Sequence, residues 1–210
     1  MGISERKKRE KDKRRNDIVD AAEKVFFLKG KAIATMDDVA AEAELSKGTL
    51  YLYFKNKEDL YLAINIRGLT ILENLFKKAI KKAKTGLEKV RAIGRAYFQF
   101  SREYSEYFKA LMYFDSKEMN FAHNDMIDKD WVHKELDPLD ILIDAIREGH
   151  EDGSINRKLD PEKTAVILWG QSSGIIQLVL TKGDHLQESH GINKEELIKY
   201  YFEIIKQFLV

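Results

Sequence analysis

The chain has 210 residues, of which 44% are hydrophobic and 34% charged, and its formal net charge is +1. This length is enough to bury a substantial core, and the near-neutral total excludes a surface that is basic throughout. Because the chain contains no cysteine, a disulfide framework, a thiolate nucleophile and cysteine-based metal sites are excluded. Only two prolines interrupt a sequence rich in good helix formers, which favours helix over sheet.

Residues 1–15 form a basic N-terminal arm, with eight lysines and arginines against three acids and therefore a net charge of +5. Such an arm either seeks phosphates or anionic lipid, or is a solvated terminus, and both interpretations stay open. The arm has no apolar run, so no secretory signal is expected. No window reaches about eighteen uninterrupted apolar residues, so no membrane span is expected either.

Hydrophobic spacing predicts about nine helices and no convincing strand. Ile18, Ala21, Val25 and Leu28 define the first helix, which ends before Gly30. The stretch 119–134 has no clear hydrophobic spacing, and the polar stretch 182–192 is predicted to be a loop. The other predicted helices cover residues 36–43, 47–53, 57–84, 87–104, 106–118, 138–150, 161–182 and 194–210.

Three short polar side chains mark helix starts near residue 50. Thr35, with Asp38 three positions later, predicts a capping box, and Ser46 and Asn56 predict the caps of the next two helices. Two short helices joined by a tight turn at Glu44 make a helix-turn-helix, whose second helix enters the major groove of DNA in proteins that use it.

The second short helix carries residue types suited to DNA contact. Ser46 and Thr49 supply hydroxyls, and Gly48 lets the backbone come close. Tyr51 and Tyr53 are long enough to reach flanking phosphates, and Lys47 and Lys57 supply charge. The alternative is that the tyrosines simply pack against the core, as we expect for Phe54.

The stretch "TMDDVAAEAELSKGTLYLYFKNKEDLYLAI", residues 35–64, resembles the DNA-binding signature of the TetR-type (tetracycline-repressor-like) bacterial transcriptional regulators. The resemblance implies that Thr35 caps the first motif helix and contacts a phosphate, and that Leu50 and Phe54 are core residues. Glu44 departs from the family's usual glycine, so we expect a left-handed backbone there. The remaining implied DNA contacts are the groove residues Ser46, Lys47, Gly48 and Thr49, and the backbone-binding residues Tyr51, Tyr53 and Lys57.

Aromatic residues cluster between positions 97 and 121, and either a core or an apolar ligand pocket explains them. The family resemblance implies a pocket in this region. The candidate ligand-binding residues are Tyr97, Phe98, Met112, Phe114, Trp131 and Trp169.

Small residues in the helix predicted at 161–182 allow another helix to approach closely. Together with the apolar last helix they suggest a two-fold homodimer built as a four-helix bundle, as the resemblance also implies, although an ordinary buried helix is the alternative. The candidate dimer residues are Gly170, Ser173, Gly174, Leu197, Tyr201 and Ile205.

The sequence thus predicts an all-α chain with a helix-turn-helix head in residues 1–56 and a helical effector-binding and dimerisation domain in residues 57–210. The expected function is a cytoplasmic repressor, released from a palindromic DNA operator by a small apolar or aromatic effector. The alternatives are a helical small-molecule-binding or protein-interaction module without specific DNA binding, and an architectural DNA binder without a sensor. No enzyme motif is present, and no metal or cofactor is expected.

Overall fold

The computed structural model describes residues 2–112 and 137–210. Within those ranges the chain is all-α, as predicted, and contains no strand. The helices in the described ranges are α1 (Ile3–Lys29), α2 (Met36–Glu42), α3 (Lys47–Tyr51), α4 (Lys57–Ile80), α5 (Gly86–Glu103), α6 (Ser105–Met112), α7 (Pro138–Asp152), α8 (Pro161–His190) and α9 (Lys194–Leu209).

Short polar side chains begin most of these helices. The side-chain oxygens of Thr35 and Ser46 accept N–H groups from the first turns of α2 and α3, and Asn56 Oδ1 accepts Asp59 N at 2.8 Å at the start of α4. Each satisfies a backbone donor that the helix itself cannot pair. The caps predicted at these three positions are confirmed.

Two compact units divide the described chain. The head unit comprises residues 2–68 and 106–112, and the second unit comprises residues 69–105 and 137–210. This division falls inside α4, whereas the domain limits expected from the sequence, 1–56 and 57–210, stay a prediction. The head unit is organised around a core whose most buried large side chains are Ile18, Val39, Leu50, Phe54, Leu60 and Ile64.

In the second unit α5 packs against α7, and α8 packs against α5, α7 and α9. Gly86 permits the closest approach, because a Cβ there would collide with the backbone of Gly149 in α7. The chain end is fixed where Asn156 N donates to Leu209 O at 2.8 Å. The core of this unit includes Val90, Ile93, Phe100, Ile146, Ile155, Ile176 and Leu209.

Two helices extend beyond their predicted limits. The basic arm is not a separate segment, since α1 begins at Ile3 and includes it. The predicted polar loop at 182–192 was wrong, because α8 continues to His190 and ends at Gly191 with φ 66°. Both extensions are mostly exposed, and hydrophobic periodicity gives no signal for a helix turn that has no buried face.

The helix α8 is long and apolar enough, by length and composition alone, to cross a membrane. Its buried side, which includes Ala165, Leu168 and Ile176, packs inside the second unit. Glu162 at its start pairs with Arg147 of α7 at 2.5 Å. These contacts are those of a helix in a folded domain, and residues 2–112 and 137–210 leave the opposite side of α8 exposed.

Candidate nucleic-acid interface

The turn between α2 and α3 places α3 on the surface of the head unit. Glu44 has φ 54°, the left-handed conformation that the sequence predicted, and Leu45 N donates to Ala40 O at 2.9 Å to close the turn. Leu50 and Phe54 are buried, at 0% and 2% exposure, which confirms them as core residues. Their burial fixes one side of α3 inward and leaves the other side facing solvent.

Thr35 joins a compact hydrogen-bonded cap. Asp38 N donates to Thr35 Oγ1 at 3.2 Å, and the hydroxyl of Thr35 donates to Asp38 Oδ2 at 2.8 Å. Lys29 Nζ donates to Asp38 Oδ1 at 2.7 Å. The bonds from Lys29 and then Thr35 lower the pKa of Asp38 to about 2. A phosphate contact by the Thr35 hydroxyl stays a prediction, and it would have to replace the bond to Asp38.

Two hydroxyls occupy the start of α3. Thr49 N donates to Ser46 Oγ at 3.1 Å, and the two side-chain oxygens lie 2.8 Å apart. Ser46 is exposed and Thr49 is half-buried. The hydroxyl of Ser46 is therefore both the cap of the helix and a polar group that a ligand could reach from solvent.

Gly48 is exposed and lies inside α3. A Cβ at this position would meet only Ser46 Oγ, at 3.9 Å, so nothing within the described chain requires a glycine. Glycine in a helix costs up to about 1 kcal/mol relative to alanine. The fold therefore does not explain this glycine, and the close approach of DNA to its backbone stays a prediction.

The two lysines of the predicted interface differ in their surroundings. Lys47 Nζ lies 2.5 Å from Asp37 Oδ2, and both side chains are more than half exposed. This bond raises the pKa of Lys47, but an exposed pair contributes little stability, so a phosphate could take the place of Asp37. Lys57 Nζ donates to the carbonyls of Lys31 and Ala34 at 2.8 and 3.2 Å. Lys57 thus holds the loop before α2, and its phosphate contact stays a prediction.

The two tyrosines also differ in their exposure to solvent. Tyr51 is 49% exposed, whereas Tyr53 is partly buried and packs against the core of the head unit. Packing therefore explains much of Tyr53, and Tyr51 is the phenol free to meet a partner. Two residues of this surface were not predicted from the sequence. Leu52 is 76% exposed at the end of α3, and Asp37 is the counter-ion of Lys47.

Part of the predicted ligand site can be located in the second unit. Tyr97 is 6% exposed, its hydroxyl lies 2.9 Å from Ser173 Oγ, and Trp169 Nε1 donates to it at 3.3 Å. Burial raises the pKa of Tyr97. Phe98 packs against Phe202 with ring centroids 5.4 Å apart.

Three further candidates for the ligand site add nothing to this cluster. Phe114 and Trp131 lie outside the described residues. Met112 ends α6 in the head unit. Of the predicted ligand-binding residues, Tyr97, Phe98 and Trp169 thus lie in the second unit, and their role in binding stays a prediction.

The candidate dimer residues fall into two groups. Gly170 and Gly174 are exposed on α8, and a Cβ at either would meet nothing within 4 Å. Tyr201 and Ile205 are instead buried within the second unit, at 8% and 6% exposure, and Tyr201 shares a 2.9 Å hydrogen bond with Ser172. Ser173 and Leu197 are partly buried.

The exposed side of α9 carries different apolar residues from those predicted. Tyr200, Ile204 and Phe208 are 66%, 46% and 45% exposed. The helix has apolar residues on two adjoining faces, and spacing alone did not reveal which of them the unit buries. On α8 the exposed apolar residues are Val166, Ile167, Trp169, Leu178 and Leu180. We call the exposed sides of α8 and α9 together the apolar face.

Residues 18–64 match the family model described as bacterial regulatory proteins of the tetR family. The uncharacterized HTH-type transcriptional regulator YhgD of Bacillus subtilis is 31% identical over 156 residues, which cover 74% of this chain and 78% of that protein. The HTH-type transcriptional activator FasR of Mycolicibacterium smegmatis is 32% identical over 101 residues, or 48% of this chain. That match spans 46% of the length of FasR.

A solved structure has the same fold along most of the chain. The transcriptional regulator FadR of Bacillus subtilis, in complex with stearoyl-CoA, superposes with a TM-score of 0.66 and 20% identity, covering 90% of this chain and 95% of that one. At this identity the likeness shows the fold alone. The head unit with its exposed α3 and the helical second unit define the class of helix-turn-helix regulators. With the match to YhgD, the chain belongs to the TetR family of bacterial regulatory proteins.

Proposed function

We propose that this protein is a cytoplasmic, ligand-responsive transcriptional regulator that binds a palindromic DNA operator as a homodimer. The observation that carries the proposal is the exposed side of α3. It combines a hydroxyl, a replaceable ion pair and a half-exposed phenol around Gly48, a glycine that the fold itself does not require. Groups of these types donate to phosphates, while a bare backbone allows close contact with base edges.

The homodimer rests on the apolar face. Exposed contiguous apolar surface marks an interaction site in most water-soluble proteins, and here it includes Ile204 and Phe208 on α9 next to an α8 face that contains Gly170 and Gly174. Glycines let a second helix pack closely, and a two-fold axis would pair α8 and α9 with their copies in a four-helix bundle. Such a dimer carries two copies of α3, which is why the operator is expected to be palindromic.

The effector is proposed to be a small molecule with an apolar portion, bound near Tyr97 and Phe98. The FadR structure holds stearoyl-CoA, so an acyl-coenzyme A is the first class to test. Trp169 and Ser173 both bond to the hydroxyl of Tyr97, and both lie on α8, the helix of the apolar face. A ligand that displaces the Tyr97 hydroxyl would therefore act directly on α8, and a change there shifts the population of DNA-binding dimers.

Repression is the sign of regulation that we propose. FasR is named an activator, so the test must be able to read either sign. A reporter gene placed behind the operator should be silent when the protein is present and active when the effector is added. The opposite response would make the protein an activator and leave its DNA binding intact.

Gel shifts and footprints on the DNA upstream of the chain's own gene test the proposal. We expect a palindromic footprint, affinity that falls steeply between about 50 and 200 mM salt, and release on addition of stearoyl-CoA. The variants Phe114→Ala and Trp131→Ala should weaken the effector response if those residues line the site. If no acyl-coenzyme A changes the DNA affinity, this class of molecule is excluded as the effector. The absence of any footprint would favour a helical binding module that does not recognise DNA.

A further inference from the structure

The N-terminal half of α1 carries its charges unequally around the helix. At about 100° per residue, one arc of roughly 120° holds five cations, Ser4 and no acid between residues 4 and 15. The acids of the segment, Glu5, Glu10 and Asp12, all lie outside that arc. We call this arc the basic stripe, and its residues are Lys7, Lys8, Lys11, Arg14 and Arg15.

The opposite side of the same segment is mixed. Arg6, Arg9 and Lys13 share it with the acids, and Arg6 Nε lies 3.0 Å from Glu10 Oε1. The segment is thus a helix with one basic side and one nearly neutral side. A solvated terminus has no physical reason to separate its charges in this way.

The basic stripe continues the buried side of α1. Ile18 and Ala22, which face the head-unit core, have the same helical phase as Lys11 and Arg15. Residues 4–14 extend α1 by roughly 17 Å toward its N-terminus, and their side chains are exposed. The stripe therefore projects from the head unit on the side of α1 that faces the core.

Arg15 joins the stripe to the region of α3. Its guanidinium lies 4.9 Å from the ring centroid of Phe54, three residues after the end of α3, and burial lowers its pKa. The base of the basic stripe therefore lies beside the segment that follows α3.

The stripe is unfavourable for the isolated protein. Lys7 and Lys11, and Lys11 and Arg15, are like charges four residues apart, which repel on a helix surface. Lys7, Lys8, Lys11 and Arg14 are exposed and form no ion pair within residues 2–112 and 137–210. A polyanion placed along the stripe would convert this repulsion into attraction.

We propose that the basic stripe lies along the phosphate backbone of the duplex bound by α3 and adds sequence-independent contacts at the edge of the operator. This inference rests on the proposed function. Residues 4–15 contain no apolar side chain, so the stripe lacks the apolar face with which surface helices enter lipid. Because its base at Arg15 contacts Phe54, three residues after α3, duplex DNA bound by α3 is the partner that fits.

Two charge-matched variants test the stripe. Lys7→Gln, Lys8→Gln and Lys11→Gln together remove three cations from it, and Arg6→Gln, Arg9→Gln and Lys13→Gln remove three from the opposite side. The probes are a duplex of about 40 base pairs selected for binding from a random library, and an arbitrary duplex of equal length. Anisotropy titrations over a range of salt concentrations give the slope of log affinity against log salt for each.

The stripe variant should lower that slope by about 2 to 3 per protomer, because each lost phosphate contact removes about 0.9. Its affinity for both duplexes should fall at least about tenfold at low salt, while the choice between them is kept. The opposite-side variant should change the slope by less than about 1. Circular dichroism checks that both variants keep their helix content.

The outcomes separate this inference from the proposed function. If the unmodified protein prefers the selected duplex but the two variants have equal slopes, the stripe does not contact DNA and only this inference is overturned. The same holds if the stripe variant binds DNA normally but loses binding to phosphatidylserine vesicles. If the unmodified protein binds neither duplex, the proposed function and this inference are both overturned.

Discussion

The exposed side of α3 and the apolar face are surfaces of opposite character, yet each contains glycines with room for a Cβ. Around Gly48 the neighbours are hydroxyl, ammonium and phenol groups. Around Gly170 and Gly174 they are aliphatic and aromatic side chains. In both cases the described chain leaves room for close approach by a partner, and the surrounding chemistry suits a polyanion at α3 and a second apolar helix at the apolar face.

The difference also concerns what each surface loses when its partner is absent. Apart from Leu52, the exposed side of α3 carries hydroxyl, ammonium and phenol groups that water can solvate, so α3 gains little free energy by associating with an apolar surface. The apolar face leaves large side chains in water, and each Å² removed from water stabilises association by roughly 25 cal/mol. We therefore expect the dimer to be permanent and DNA binding to be reversible.

The largest expected effect comes from charging the apolar face. Ile204→Asp together with Phe208→Asp should raise the dimer dissociation constant at least about a thousandfold, because carboxylates would be buried without partners. Both side chains are about half exposed in the single chain, so the fold should persist. Sedimentation velocity measures the change, and Lys199→Asp on another side of α9 is the control. If the double variant stays dimeric, the dimer interface lies on another surface of the protein.

Replacing Gly48 in α3 by alanine should stabilise the fold and weaken DNA binding. Gly48→Ala should raise the free energy of unfolding by up to about 1 kcal/mol, since the new Cβ meets only one atom, at 3.9 Å. It should lower DNA affinity about tenfold, because the backbone can no longer approach the groove. Thermal melts and anisotropy titrations measure the two effects. Higher stability with unchanged affinity would place Gly48 outside the interface.

Glu44 allows a smaller test that concerns the fold alone. Its φ of 54° is costly for a residue with a side chain, so Glu44→Gly should raise the free energy of unfolding by about 1 kcal/mol. Ala43→Gly is the matched control, because Ala43 has an ordinary helical φ of −80° and glycine should destabilise it. A lower melting temperature for Glu44→Gly would refute the strain at this turn.

The cap of α2 predicts a modest dependence on pH. The pKa of Asp38 is about 2 in the folded chain, below its ordinary 3.8. A carboxylate with a depressed pKa stabilises the fold above the unfolded pKa, and this stability is lost as pH falls toward about 2. Asp38→Asn should thus melt below the unmodified protein at pH 5, and the gap should close between about pH 4 and pH 2. A gap that is constant with pH would rule out the ionised cap.

The head unit could be predicted from the sequence in unusual detail because its signals are local. A cap and its partner lie three residues apart, as at Thr35 and Asp38, and the left-handed turn residue Glu44 follows six residues after Asp38. The match to the TetR signature runs through the same residues. The hydrogen-bond partners of Lys57 were less predictable, because the carbonyl groups that accept its bonds belong to residues 31 and 34, which are distant in sequence.

The second unit could be predicted in outline only. Its helices have the expected order, but which apolar side of α9 faces inward depends on α5 and α8, and the sequence did not show that Tyr201 and Ile205 are buried within the unit. The exposed ends of α1 and α8 carried no hydrophobic periodicity from which their helical structure could be predicted. For the ligand site, Tyr97 and Trp169 are joined by a hydrogen bond across 72 positions, a distance that no local pattern spans.

A hydroxyl-radical footprint of the purified protein on a duplex selected for tight binding tests most directly whether paired copies of α3 read DNA. The expected result is two equivalent protected patches related by two-fold symmetry, one helical turn or a multiple apart, about 34–36 Å in the simplest case. The variant Gly48→Ala should weaken both patches equally. A single asymmetric patch, or two patches that this variant leaves unchanged, would contradict the assignment of α3 as the element that enters the groove.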